Sequence, residues 1–248
     1  MSSPAITSAA IIGSTGLVGS NILSTLLATE AYKPVHAITR RALKATSPNL
    51  NAIVDTDTSK WAAALAALAP VPLTVFSALG TTRAAAGGLA NQWKIDHDLN
   101  IELAKAAKEG GVKTFVFISS AGTRGFPSNF AAYSKMKNGV EDSVKELGFD
   151  QAVIIKPGII LGERETSRTT EGMAQMLVRG LGKLSQGVQD TLGQDAAVIA
   201  RAAVRAAQLA DEGKAPSKYW VVEAGDIVRL GRTEWPAEPA ATTETTSQ

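Results

Sequence analysis

The sequence predicts an α/β protein, a doubly wound parallel sheet with helices on both faces and a small C-terminal extension. Three observations predict it. The apolar run ending in Ala9-Ala10-Ile11-Ile12 enters a glycine-rich turn, and a helix-periodic segment leaves that turn at Val18, Ile22, Leu23, Leu26 and Leu27. Further short β-branched runs alternate along the chain with stretches of helical period. One of them, Thr114-Phe115-Val116-Phe117-Ile118, is apolar throughout, as a central parallel strand requires.

The first strand is expected over 5–12 and the first helix over 16–29. Between them lies Gly13-Ser14-Thr15-Gly16-Leu17-Val18-Gly19, spaced G-x-x-G-x-x-G. Gly13 permits a tight turn, Gly16 lets the backbone come close to a pyrophosphate, and Gly19 lets the helix pack closely on the strand. Free N–H groups at the helix start would face the phosphate. Glycine and serine also collect in ordinary turns, so the motif needs support from the rest of the chain.

The second strand, 35–39, runs directly into Arg40 and Arg41. In this fold class the end of the second strand faces the adenosine ribose. A carboxylate there accepts the 2′-hydroxyl of NAD, and arginine accommodates the 2′-phosphate of NADP. Two arginines without a carboxylate favour NADP(H). A third strand over 51–54 ends at Asp55, which is either an adenine contact or a turn and capping residue. Ser59 is the expected N-cap of a helix over 60–69.

A strand over 73–77 leads into Ala78-Leu79-Gly80-Thr81-Thr82-Arg83, where the small residues let a cofactor lie against the backbone. A helix over 91–109, with Ile95, Leu99, Leu103 and Ala106 on one face, ends at Gly110-Gly111. The fifth strand, 114–118, ends in Ser119-Ser120. Tyr133 and Lys137 stand at i and i+4 of a helix over 133–147 and share a face. A phenol is a poor acid or base near neutrality, and a neighbouring ammonium lowers its pKa. Ser120, with Ser119 as the alternative, would orient a substrate oxygen.

A sixth strand over 152–155 precedes Lys156-Pro157-Gly158, with Pro157 shaping the loop near a nicotinamide. The charged stretch 163–172 reads as a substrate loop. Helices are expected over 172–183 and 194–212, with Asp195 at the start of the second, and a last strand over 219–222. Residues 1–235 form one domain in this reading, and 236–248, rich in Pro, Ala, Thr and Glu, a disordered tail.

Composition narrows the function. The net charge is +2 with scattered Lys and Arg, which gives no nucleic-acid footprint. There is no Cys, and His36 and His97 lie far apart, so no metal site is expected. The uncharged stretch over 61–82 has the length of a membrane span, but Pro70 and Pro72 break it. It reads as helix, turn and buried strand. The glycines likewise break the uncharged N-terminal stretch, which lacks the basic start of a signal peptide.

Together, Gly13 to Gly19, Arg40-Arg41, Ser119-Ser120 and Tyr133/Lys137 resemble the atypical, NAD(P)-binding branch of the short-chain dehydrogenase/reductase superfamily. The stretches Phe76 to Arg83, Lys94 to Asp98, Phe117 to Gly122 and Lys156 to Arg168 are similar to the family of the HIV Tat-interacting protein, most of all its fungal FMP-type branch. The resemblance implies a Rossmann fold over about 5–230. It also implies NADP(H) binding, a catalytic Ser120, Tyr133 and Lys137, with Lys137 also on the nicotinamide ribose, and peripheral association with the mitochondrial outer membrane. Superfamily members pair through helices like 91–109 and 133–147, which implies a homodimer. The substrate would be a carbonyl or an alcohol. The alternative is an NADP(H)-binding regulatory or interaction protein with little catalysis. A nucleotide-sugar epimerase is a third reading, against which the part after residue 160 is short. One position departs from the superfamily: its usual helix Asn is Asp96 here.

Overall fold

The computed structural model describes residues 7–128, 131–162 and 193–236. Seven strands form one parallel sheet in the order β3-β2-β1-β4-β5-β6-β9. They are β1 (Ala9–Ile12), β2 (Val35–Thr39), β3 (Leu50–Val54), β4 (Thr74–Ser77), β5 (Thr114–Ile118), β6 (Gln151–Ile155) and β9 (Tyr219–Val222). β1, β2, β4 and β5 are buried along their whole length, which is why their sequences read as apolar runs.

The helices cover both faces. α1 (Leu17–Thr29), α6 (Ala196–Asp211) and α7 (Ala224–Val228) bury Ile22, Leu26, Ile199, Ala203 and Ile227 on one side. α2 (Trp61–Ala66), α4 (Leu99–Glu109) and α5 (Ala132–Leu147) bury Trp61, Leu103, Val140 and Val144 on the other. In the C-terminal part α6 forms much of one helical layer, and β9 closes the sheet beside β6.

The helix expected over 91–109 is divided. α3 (Leu89–Trp93) passes through a π-helical turn, Lys94–Asp98, before α4 begins. Asn100 holds the wide turn, donating its amide to the Ile95 and Asp96 carbonyls at 3.1 and 3.2 Å. The extra residue shifts the phase. Leu99, Leu103, Ala104 and Ala107 are buried, while Ala106 is only partly so.

Two local expectations are corrected. Asp57, not Ser59, caps the turn before α2, accepting the Ser59 N–H at 3.1 Å. The helix itself ends at Ala66, not at 69. A small parallel pair lies outside the main sheet, β7 (Ile159–Leu161) with β8 (Gly193–Asp195), and Gly162 beyond it abuts Leu17 of α1. The charged loop over 163–172, the helix over 172–183 and nearly all of the tail lie outside the described residues.

Strand order places the site. After β1 the chain moves outward to β2 and β3, then returns to lay β4 on the other side of β1. Ligands of such sheets bind in the crevice at the carboxyl ends of the two strands where the direction changes. Here those ends are Ile12 and Ser77, aligned in register.

Candidate dinucleotide and proton-transfer site

A cavity of about 1080 Å³ opens at this crevice. Gly13, Ser14, Thr15, Gly16 and Leu17 floor it, Arg40, Arg41 and Lys44 line one end, and Leu79, Gly80, Thr81 and Thr82 line the other. Sequence reasoning missed Thr56, Trp61, Ser20 and Asn21 of the lining. These residues stand one strand or one helical turn from the motif, a pairing that local spacing does not carry.

The three glycines divide the work. Gly13 has φ +86°, and a Cβ there would lie 2.6 Å from the Ala78 carbonyl carbon, so the turn fits tightly against the end of β4. A Cβ on Gly19 would lie 2.1 Å from the Gly13 oxygen. Gly19 thus serves helix packing and does not line the cavity; nor does the buried Val18. At Gly16 a Cβ would have only the Gly13 oxygen within 4 Å, at 3.3 Å, so the backbone is open to a close neighbour. Gly16 is also the N-cap of α1 and brings no side-chain cap, leaving first-turn N–H groups available to an anion. Ser14 Oγ is buried and has no hydrogen-bond partner among the described residues. An uncapped helix start, an unpaired hydroxyl and an exposed backbone fit a dinucleotide phosphate.

Thr39 shapes the adenosine end. Its hydroxyl donates to the Arg41 carbonyl at 3.1 Å and turns the chain sharply out of β2. The Arg41 guanidinium reaches back to the Thr15 carbonyl at 3.5 Å, spanning the crevice mouth. Among the described residues no carboxylate lines the cavity. Asp55 lies off the lining. Its carboxylate accepts the Asp57 N–H at 2.8 Å, the turn role among the two expected for it.

Ser120 meets Tyr133 beyond the carboxyl end of β5, and Lys137 bonds the last residue of that strand. Lys137 is 6% exposed, its ammonium donating to the Ile118 carbonyl at 3.0 Å and lying 4.8 Å from the Phe117 ring centre. Burial lowers its pKa, and the Asp96 and Glu141 carboxylates oppose the fall. Tyr133 is 43% exposed at the first turn of α5. Sequence reasoning expects a lowered phenol pKa. The structure shows the reverse: burial pushes it up, the adjacent Ser120 hydroxyl works against the rise, and Asp96 adds to it. Lys137 is directed to a strand carbonyl and two carboxylates, not to the phenol.

Asp96 occupies the π turn. It accepts the Thr81 N–H at 2.7 Å and the Gln92 amide at 3.2 Å, and burial raises its pKa. One turn on, Asn100 donates to the Leu79 carbonyl at 3.4 Å and accepts the Ser77 hydroxyl at 2.6 Å. This helix therefore carries an asparagine that fixes the β4 end, four residues beyond the position where the superfamily pattern places one.

Ser119 is committed elsewhere: its hydroxyl donates to Glu141, a carboxylate 2% exposed. Lys156 and Arg124 also pair with Glu141, both at 3.1 Å. Pro157 does not line the cavity, but its carbonyl accepts the Ala121 N–H at 2.8 Å and ties the β6 end to the serine loop. Glu141 was legible only as the next residue after Tyr133 and Lys137 on the same helix face.

A parallel sheet with a glycine turn, an arginine-lined crevice and a direction change at that crevice defines a Rossmann-type dinucleotide-binding protein. A family model described as NAD(P)H-binding matches residues 13–182, and the chain belongs to that family. The chain is 60% identical over 230 residues to "Protein fmp52-2, mitochondrial" of Aspergillus terreus, covering 93% of this chain and 99% of that protein. It is 58% identical over 240 residues to "Protein fmp-52, mitochondrial" of Neurospora crassa, covering 95% and 99%. The solved structure of MoeE5 in complex with UDP-glucose and NAD shares the fold at 16% identity, with a TM-score of 0.65 over 90% of this chain and 80% of that one.

Proposed function

We infer that the chain is an NADP(H)-dependent oxidoreductase of a carbonyl/alcohol pair. The observation that carries this reading is the meeting of the Tyr133 and Ser120 hydroxyls at the strand end next to the dinucleotide crevice. Arg40 and Arg41 would hold the 2′-phosphate, and the 13–17 turn the pyrophosphate. Bound NADPH would supply the hydride equivalent for the carbonyl carbon. The chain's own groups attend to the oxygen. Ser120 orients it by a hydrogen bond, and Tyr133, kept protonated by burial, delivers its phenolic proton to it. In the reverse direction Tyr133 takes the proton back. Lys137 holds the end of β5 through the Ile118 carbonyl, one turn along α5 from Tyr133.

The names of the fungal relatives support a mitochondrial location. Peripheral attachment to the outer membrane belongs to the same proposal; among the described residues no helix is long and apolar enough to cross a membrane. Titrating NADPH against NADH tests the cofactor; equal affinity would refute the arginine argument. With NADPH and an aromatic ortho-quinone as probe, Tyr133→Phe is expected to keep cofactor binding and lose about 10²- to 10⁴-fold in turnover. Turnover retained in that variant would remove Tyr133 from the chemistry.

One observation favours a second reading, an NADP(H)-binding regulatory protein with little catalysis: the Tyr133 phenol is shifted up, away from the neutral range where acid–base work is easiest. Pull-downs with and without NADPH distinguish it, since dinucleotide-dependent partners are expected only under that reading.

A further inference from the structure

We propose that Glu141 is a positioning residue, which acts through Ser119 to set the Ser120 hydroxyl against Tyr133. The proposal rests on the reading of Ser120 and Tyr133 as the reacting pair.

Glu141 follows Tyr133 and Lys137 at intervals of four, so the same face of α5 carries all three toward the strand ends. A carboxylate this buried is costly unless every oxygen is matched by donors. Here the donors come from two separate segments. Ser119 and Arg124 lie on the loop between β5 and α5, and Lys156 follows β6. Lys156 contacts both carboxylate oxygens, at 3.1 and 3.2 Å.

Ser120 sits within this frame. On one side Ser119 is fixed twice, by its hydroxyl to Glu141 and by its N–H to the Ile155 carbonyl at 2.8 Å. On the other side the Ala121 N–H is fixed to Pro157. Lys156, the residue before Pro157, is itself held by Glu141. Both flanks of Ser120 therefore lead back to one carboxylate. Among the described residues the Ser120 side chain donates to the carbonyl of its neighbour Ala121 at 3.3 Å and meets Tyr133. Its direction is set by the backbone around it, and that backbone is set by Glu141.

Three tyrosines in the chain make the test compact. With ¹³C at tyrosine Cζ, the spectrum has three lines, and Tyr133→Phe identifies one of them. Ser119→Ala and Glu141→Gln are each expected to shift the Tyr133 line, because the phenol loses its settled partner. The Tyr32 line should stay in place, since Tyr32 bonds Asp211 at the amino ends of the strands. A Tyr133 line unmoved in Ser119→Ala, with the Tyr32 line and thermal transition intact, would overturn the proposal. Should Glu141→Gln fail to fold, Ser119→Ala decides alone. NADPH added to the unaltered chain separates the two claims. If NADPH leaves the Tyr133 line unmoved while the variants shift it, the cofactor reading fails and the positioning role stands. If NADPH moves the line and the variants do not, the positioning role fails alone.

Discussion

Arg41 lies at the crevice mouth with its guanidinium on the Thr15 carbonyl, so it can meet a phosphate without a large rearrangement. A charge-assisted contact of that kind contributes about 1.5–3 kcal/mol. Arg41→Ala is accordingly expected to weaken NADPH binding by about 10- to 100-fold and to leave NADH almost unaffected, as read by reduced-nicotinamide fluorescence. A second residue-scale effect comes from His36, buried in β2 with Nδ1 3.1 Å from the Asn51 amide and Nε2 unpartnered among the described residues. Burial lowers its pKa below the usual 6.5. The unfolded chain then binds a proton more readily than the folded one, so stability present above about pH 6.5 falls as pH drops toward the folded value. The melting temperature should decline between pH 7.5 and 5.5, and His36→Gln should flatten that decline; an unchanged slope would show that His36 is not the group responsible.

The glycine turn shows at the scale of an element what packing demands. A methyl on Gly19 would collide with the Gly13 carbonyl, and neither backbone can yield without moving α1 off the sheet. Gly19→Ala should cost roughly 1–3 kcal/mol or more by overpacking, seen as a lower denaturant midpoint. The seven strands of the main sheet were legible because most have a glycine or proline boundary, whereas the short β7–β8 pair and α7 were not. The turn was legible because glycine there answers a local steric need. The π turn was not, because it depends on Asn100 reaching carbonyls of its own helix and the end of β4, contacts that periodicity cannot register. The cap before α2 was misplaced by two residues because Asp57 and Ser59 both suit the position and only the three-dimensional turn decides. The direction of the Tyr133 shift was likewise beyond the sequence. Spacing puts Lys137 on the right face, but burial and the pull of Ile118 determine what its ammonium does.

For the whole molecule, a ligand that binds only the folded chain stabilises it. At 100 times its dissociation constant that is about 2.7 kcal/mol, or roughly 5–10 °C in melting temperature for a chain of this size. NADPH should give such a shift and NADH a smaller one at equal concentration. At the amino ends of the strands stands a quite different arrangement. Asp211, at the last turn of α6, accepts the hydroxyls of Tyr32 at 2.6 Å, Thr74 at 2.8 Å and Thr114 at 2.6 Å. A carboxylate is poorly placed at a helix C-terminus, and these donors offset that. Burial, with the charge of Asp211, pushes the Tyr32 phenol pKa far up. Asp211→Asn should therefore lower the melting temperature while NADPH affinity stays within about twofold, a difference small beside the tenfold of 1.4 kcal/mol. The clasp holds the amino ends of β4 and β5 together with the loop before β2, whereas every group proposed for chemistry lies at the carboxyl ends. Durability and selectivity are thus inherited from opposite rims, so a designer could recast the crevice for a new dinucleotide or substrate while the seam that keeps the sheet closed goes untouched.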